Sequence, residues 1–68
     1  MTTKIPMYKS GVQVIVTDPV DEHFTDMTGM VTGNEFREYL NEYIYYVMLD
    51  NDGYEMEFEA NELAVDLT

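Results

Sequence analysis

The chain has no cysteine, one histidine and only three basic residues in 68. Each shortage removes a class of explanation. Without cysteine, neither a disulfide nor a thiolate zinc site can staple so small a domain, and the composition suits a reducing interior. Three bases cannot supply the phosphate contacts that direct binding of DNA or RNA requires. The same shortage argues against attraction to an anionic membrane. No apolar run approaches the ~18 residues of a spanning helix. Residues 1–10 carry Lys4 and Lys9 but lack the apolar core of a signal peptide. The expected location is therefore the cytoplasm, and no cofactor or metal is expected.

What is present in excess is acid. Fourteen Asp and Glu against three Lys and Arg give a net charge of −11 and a pI near 4.1. The asymmetry is also positional. Lys4 and Lys9 precede every acid, and from Ser10 onward Arg37 alone offsets all fourteen. From Asp50 to the end there are seven acids and no base. Such charge keeps a small domain soluble. It also speeds encounter with a basic protein surface. Apolar residues make up 46% of the chain, enough for a small core and against disorder. A chain of this length is one domain that buries ~60% of its unfolded surface.

The most structured stretch is residues 43–63. Two strand-like runs flank Asp50-Asn51-Asp52-Gly53, and Asp-Gly between such runs is a strong hairpin signal, since Gly accepts positive φ. In the second arm Tyr54, Met56, Phe58 and Ala60 alternate with Glu55, Glu57 and Glu59, which predicts one buried and one wet face. In the first arm Tyr45, Val47 and Leu49 share a face, but Ile44, Tyr46 and Met48 opposite them are apolar too. That strand is expected to be covered on both sides.

Earlier in the chain, Val12, Val14 and Val16 alternate with Gln13, Ile15 and Thr17, a strand that Asp18-Pro19 ends. Residues 20–27 read as a surface loop anchored by Phe24, and residues 28–33 as a short strand bounded by glycines, with Met30 or Val31 inward. Phe36, Tyr39 and Leu40 follow Asn34 at helical spacing, so a short helical turn or structured loop is expected near 34–42. Residues 63–67 form the last strand. The expectation is an all-β fold: a small five-stranded antiparallel barrel spanning residues 11–68, after a loose lead-in over 1–10. Curling would hide its edges.

This order resembles the SH3-like small β-barrels. The positions that carry the resemblance are Val12 and Val14, Gly29 and Val31, Tyr45, Val47 and Leu49, Gly53, Phe58, and Glu62 with Leu63. The core pattern is similar to the small SH3-like accessory chain of photosystem I, to the variable chain of ferredoxin–thioredoxin reductase and to KOW-type domains. The resemblance implies a non-catalytic module that docks on a larger protein. The basic loops of nucleic-acid-binding members are absent here.

Few residues offer chemistry. His23 lies among Asp21, Glu22 and Asp26 without a nucleophile beside it. If Gly53 held the sixth position of a calcium loop, Met48 would stand at the first, where a hard oxygen is needed. The candidate binding residues are Glu55, Glu57, Glu59, Asp50 and Asp52, with Tyr46, Ile44 and Met48 as an apolar strip. Alternate strand residues repeat every ~6.6 Å, so the three glutamates form a line of carboxylates. Such a line imitates a run of phosphates. Glu62 and Asp66 are expected to extend it. The expected partner is a larger protein with a basic surface, in one version a DNA- or RNA-binding protein inhibited by mimicry, as compact acidic phage proteins do. The alternative is a constitutive accessory subunit of a larger enzyme or electron-transfer complex. Self-association into a homodimer through the apolar strip is a further outcome. Phe58, placed in the core, gives a direct check: Phe58→Ala should lower the unfolding free energy by ~3–5 kcal/mol in urea titration.

Overall fold

The computed structural model describes residues 5–51 and 53–67. It is all-β. Five strands form one antiparallel sheet: β1 (Gln13–Val16), β2 (Thr28–Arg37), β3 (Glu42–Leu49), β4 (Glu55–Glu59) and β5 (Leu63–Val65). Their spatial order is β4-β3-β2-β1-β5, so β4 and β5 are the two edges. Two 3-10 turns complete the regular structure, Glu22–Phe24 and Ala60–Glu62. No helix among the described residues is long and apolar enough to cross a membrane.

The second turn sets the shape of the sheet. It carries the chain straight from one edge strand to the other. In a flat five-stranded sheet those edges lie roughly 19 Å apart. Three residues of 3-10 helix advance only ~6 Å. The sheet must therefore curl, which brings the inner faces of its strands together. Val14 and Val16 of β1, Val31 of β2, Tyr45, Val47 and Leu49 of β3, Phe58 of β4 and Leu63 of β5 make up that face and are all buried. Phe24, on the loop between β1 and β2, packs edge-on against Phe58 with ring centroids 5.9 Å apart. Gly29 of β2 is the point of closest approach: a Cβ there would stand 2.5 Å from the Met48 carbonyl oxygen.

The alternation of β1 and of Met56-Glu57-Phe58 is as expected, as is the turn at Gly53, whose φ is +69°. Four expectations are corrected. Residues 34–42 are not helical: β2 runs on to Arg37, residues 38–41 turn, and β3 begins at Glu42. Phe36 and Tyr43 face each other across this hairpin with rings 5.2 Å apart. Asn41, at φ +53°, takes the left-handed turn position that Asn tolerates. Tyr54 lies before β4 rather than in it and is 70% exposed. The last strand stops at Val65, leaving Leu67 exposed. The end of the lead-in is tied down, because Tyr8 belongs to the core, donates from its hydroxyl to the Leu63 carbonyl at 3.1 Å, and packs edge-on against Tyr45.

Glu62 is the one buried charged residue among those described. Its Oε1 accepts from the Glu59 N–H at 2.9 Å and its Oε2 from the Val20 N–H at 3.3 Å. Its own carbonyl accepts from Thr17 and Asp18 at the end of β1. One residue thus latches β4, the β1–β2 loop and β1 around the crossing. Glu62→Ala should orphan two backbone donors and cost ~1–3 kcal/mol, lowering Tm by roughly 4–8 °C per kcal/mol; an unchanged melting curve would rule out the latch.

Burial, and secondarily the neighbouring Tyr45, push the Tyr8 phenol above its ordinary value of 10.0. The folded state therefore holds that proton more tightly than the unfolded chain. Its contribution is complete below pH 10.0 and is lost as pH rises through the higher folded value. Thermal melts between about pH 9 and 11 should show wild type losing stability more steeply than Tyr8→Phe.

Candidate functional site

The ladder between β3 and β4 assembles the face expected from the alternation. Ile44 stands opposite Glu59, Tyr46 opposite Glu57, and Met48 opposite Glu55. On the other side of β3, Glu35 is paired with Ile44, Gly33 with Tyr46, and Met30 with Met48. Three rows therefore cross the outer face of β2, β3 and β4, each ending in one glutamate of the edge strand. Strand alternation turns these side chains away from Tyr45, Val47 and Phe58, which fill the core.

Arg37 organises the charge on this face. From β2 it spans β3 to reach Glu57 on β4, with Nη2 3.0 Å from Oε1. Its Nε pairs with Glu35 on its own strand. Nη1 donates to the Tyr39 hydroxyl at 3.3 Å, and the Tyr46 hydroxyl donates to Glu35 at 3.3 Å. Hydrogen bonds that the guanidinium donates to Tyr39, then to Glu35 and Tyr46, hold its proton still more firmly than usual. The sole base on the face among the described residues is thus engaged internally. Around it stand Glu35, Glu42, Glu55, Glu57 and Glu59, so the face stays strongly negative.

A β-bulge fixes Glu55. The register of β2 against β3 shifts between Val31 and Gly33, leaving Thr32 as the extra residue. Its hydroxyl lies 2.6 Å from Glu55 Oε2 and 3.2 Å from the Tyr46 carbonyl. Glu55 and Glu57 are exposed, Glu59 is half-buried. Asp50 sits at the hairpin turn, where Oδ2 accepts from Thr28 Oγ1 at 2.7 Å. Asp52 lies outside the described residues.

Two assignments change. Ile44 is only 4% exposed and cannot be a contact residue; it sits in register between Glu35 and Glu59. The exposed strip shrinks to Met48, at 37%, and the half-buried Tyr46. Glu62 adds nothing to the negative surface, because it is the buried latch.

Other chemistry is sparse among the described residues. An open cleft of about 460 Å³ is lined by Met7, Glu42, Glu59, Ala60 and Asn61. No group of three or more acids or histidines there is placed to hold a metal ion. His23 stacks edge-on against Phe24, with ring centroids 5.3 Å apart.

Sequence reasoning missed an apolar tip. The hairpin of β2 and β3 runs beyond the part of β3 that β4 covers, because β4 pairing ends at Ile44. Phe36, Tyr39 and Leu40 are exposed at its end, Tyr39 at 78%. Asn41, a residue suited to a left-handed turn between two apolar runs, was the local sign of it.

No protein-family model, no curated protein and no solved structure matches this chain.

Proposed function

We propose that the chain is a non-catalytic protein-binding module of the SH3-like small-barrel class, which docks through the outer face of β3 and β4 on a basic surface of a larger protein. The element order supports the class: strand, long loop, strand, hairpin, strand, tight turn, strand, 3-10 turn, strand. The curl imposed by the Ala60–Glu62 crossing points the same way.

The observation that carries the docking reading is the register of β3 against β4. It lines Glu55, Glu57 and Glu59 along one edge and sets Met48 and Tyr46 beside them. Arg37 is held between Glu35 and Glu57, so it does not repel a cationic partner from the open side. A row of carboxylates at strand spacing, on a chain of net charge −11, matches a groove built for a nucleic-acid backbone. The specific form we favour is occupation of that groove on a DNA- or RNA-binding protein, which excludes the nucleic acid.

The test is capture from a nuclease-treated lysate of the source cells, comparing wild type with the triple variant Glu55→Gln, Glu57→Gln and Glu59→Gln. Glutamine keeps the hydrogen-bonding shape at Thr32 and Arg37, so the variant should melt within a few degrees of wild type. A nucleic-acid-binding protein should be retained by wild type at low salt and displaced by added nucleic acid. It should be released near 1 M salt, where charges are screened beyond ~3 Å. The triple variant should fail to retain it. Equal capture by both proteins at all salt concentrations would overturn the proposal, and a salt-resistant multisubunit complex would make the chain an accessory subunit instead.

A further inference from the structure

We infer that the free edge of β4 takes up an extended, alternately basic segment of the partner as an added strand. This rests on the reading of the acidic face as the docking surface and names how the partner is held there.

β4 pairs with β3 and has no strand on its other side. The Leu49 N–H donates to the Tyr54 carbonyl at 3.0 Å, which fixes the phase of the ladder. With that register, Met56 and Phe58 exchange hydrogen bonds with Val47 and Tyr45. The N–H and C=O groups of Glu55, Glu57 and Glu59 therefore point out of the sheet. Glu59 agrees with this phase, since its N–H is taken by Glu62 Oε1 at 2.9 Å. That bond closes the far end of the edge. It leaves the backbone groups of Glu55 and Glu57 without a strand partner among the described residues.

The same two residues carry exposed carboxylates on the outer face. A strand added antiparallel to β4 sets its own residues opposite Glu55 and Glu57 in hydrogen-bonded pairs, with Cβ atoms about 5 Å apart. Those positions call for lysine or arginine. The residues between them fall on the inner side, beside the half-buried Met56, and call for apolar side chains. A second copy of β4 is a poor occupant: added antiparallel it sets glutamate against glutamate, and added parallel it turns its glutamate row onto the inner side, where apolar side chains are called for. An unpaired edge that repels its own kind and attracts the opposite charge selects a basic strand. The pairing covers few residues, so affinity should depend jointly on charge and on the backbone bonds.

The probe is a capped peptide of alternating lysine and valine, titrated into the intact chain. Two controls keep its charge and composition. One is N-methylated at the lysines, whose N–H groups would face β4. The other is N-methylated at the valines, whose N–H groups would face away. The inference expects the parent and valine-methylated peptides to bind and to protect the Glu55 and Glu57 amides from hydrogen exchange. It expects lysine methylation to weaken binding by roughly tenfold or more. Equal, salt-sensitive binding of all three would overturn strand addition while leaving electrostatic docking on this face intact. Binding of none would also overturn it, and the capture experiment would still decide the docking face by itself.

Discussion

Everything in this small sheet depends on the crossing at Ala60–Glu62. Three residues join opposite edges of a five-stranded sheet, and that is too short a span for a flat one. The inner faces of all five strands are thereby brought onto a common core of valines, leucines, Tyr45 and Phe58. The crossing brings two part-buried backbone donors that lie outside the ladder, one at the end of β4 and one on the β1–β2 loop, beside Glu62. Glu62 satisfies them with one carboxylate, which accepts from Glu59 and Val20. A buried carboxylate is tolerable when its oxygens are hydrogen-bonded in this way.

The same crossing shapes the outer surface. Because β4 hands the chain directly to β5, it receives no further strand and stays an edge. Proteins commonly protect such edges with charge. Here the protection is acidic, and Arg37, the single nearby base among the described residues, is bound into the network of Glu35, Glu57, Tyr39 and Tyr46. An edge guarded by one sign of charge is shielded from copies of itself and open to the opposite sign. Solubility and recognition thus draw on one feature.

The parts of the fold legible in the sequence are those fixed by neighbours a few residues away. The Asp-Gly turn, the alternation of Val14 and Val16, and the Glu-Met-Glu-Phe-Glu run each declare a strand or turn from local chemistry alone. The failures share the opposite property. Phe36, Tyr39 and Leu40 have helical spacing, yet pairing of residues 34–37 with Glu42–Tyr45 across a hairpin overrides it. Ile44 lies on the outer face by alternation but is buried where Glu35 and Glu59 flank it, a cross-strand effect. Glu62 looks like one more surface acid, and only the crossing buries its side chain beside the Glu59 and Val20 donors. Tyr8 sits in a stretch with no strand pattern and joins the core through Tyr45 and Leu63, 37 and 55 positions away. The candidate site fared similarly: its three glutamates, Tyr46 and Met48 share a face because alternation sets it, while its apolar extent depended on contacts that alternation does not reveal.

The acidic face of β3 and β4 has one competitor as a docking surface, the apolar hairpin tip of Phe36, Tyr39 and Leu40. The measurement that separates them is amide chemical-shift mapping of the isotopically labelled chain, titrated with a captured partner. Docking through the acidic face predicts that the largest shifts fall at Glu55, Glu57, Tyr46 and Met48 and fade as salt is raised. Shifts concentrated at residues 36–41 and indifferent to salt would contradict it.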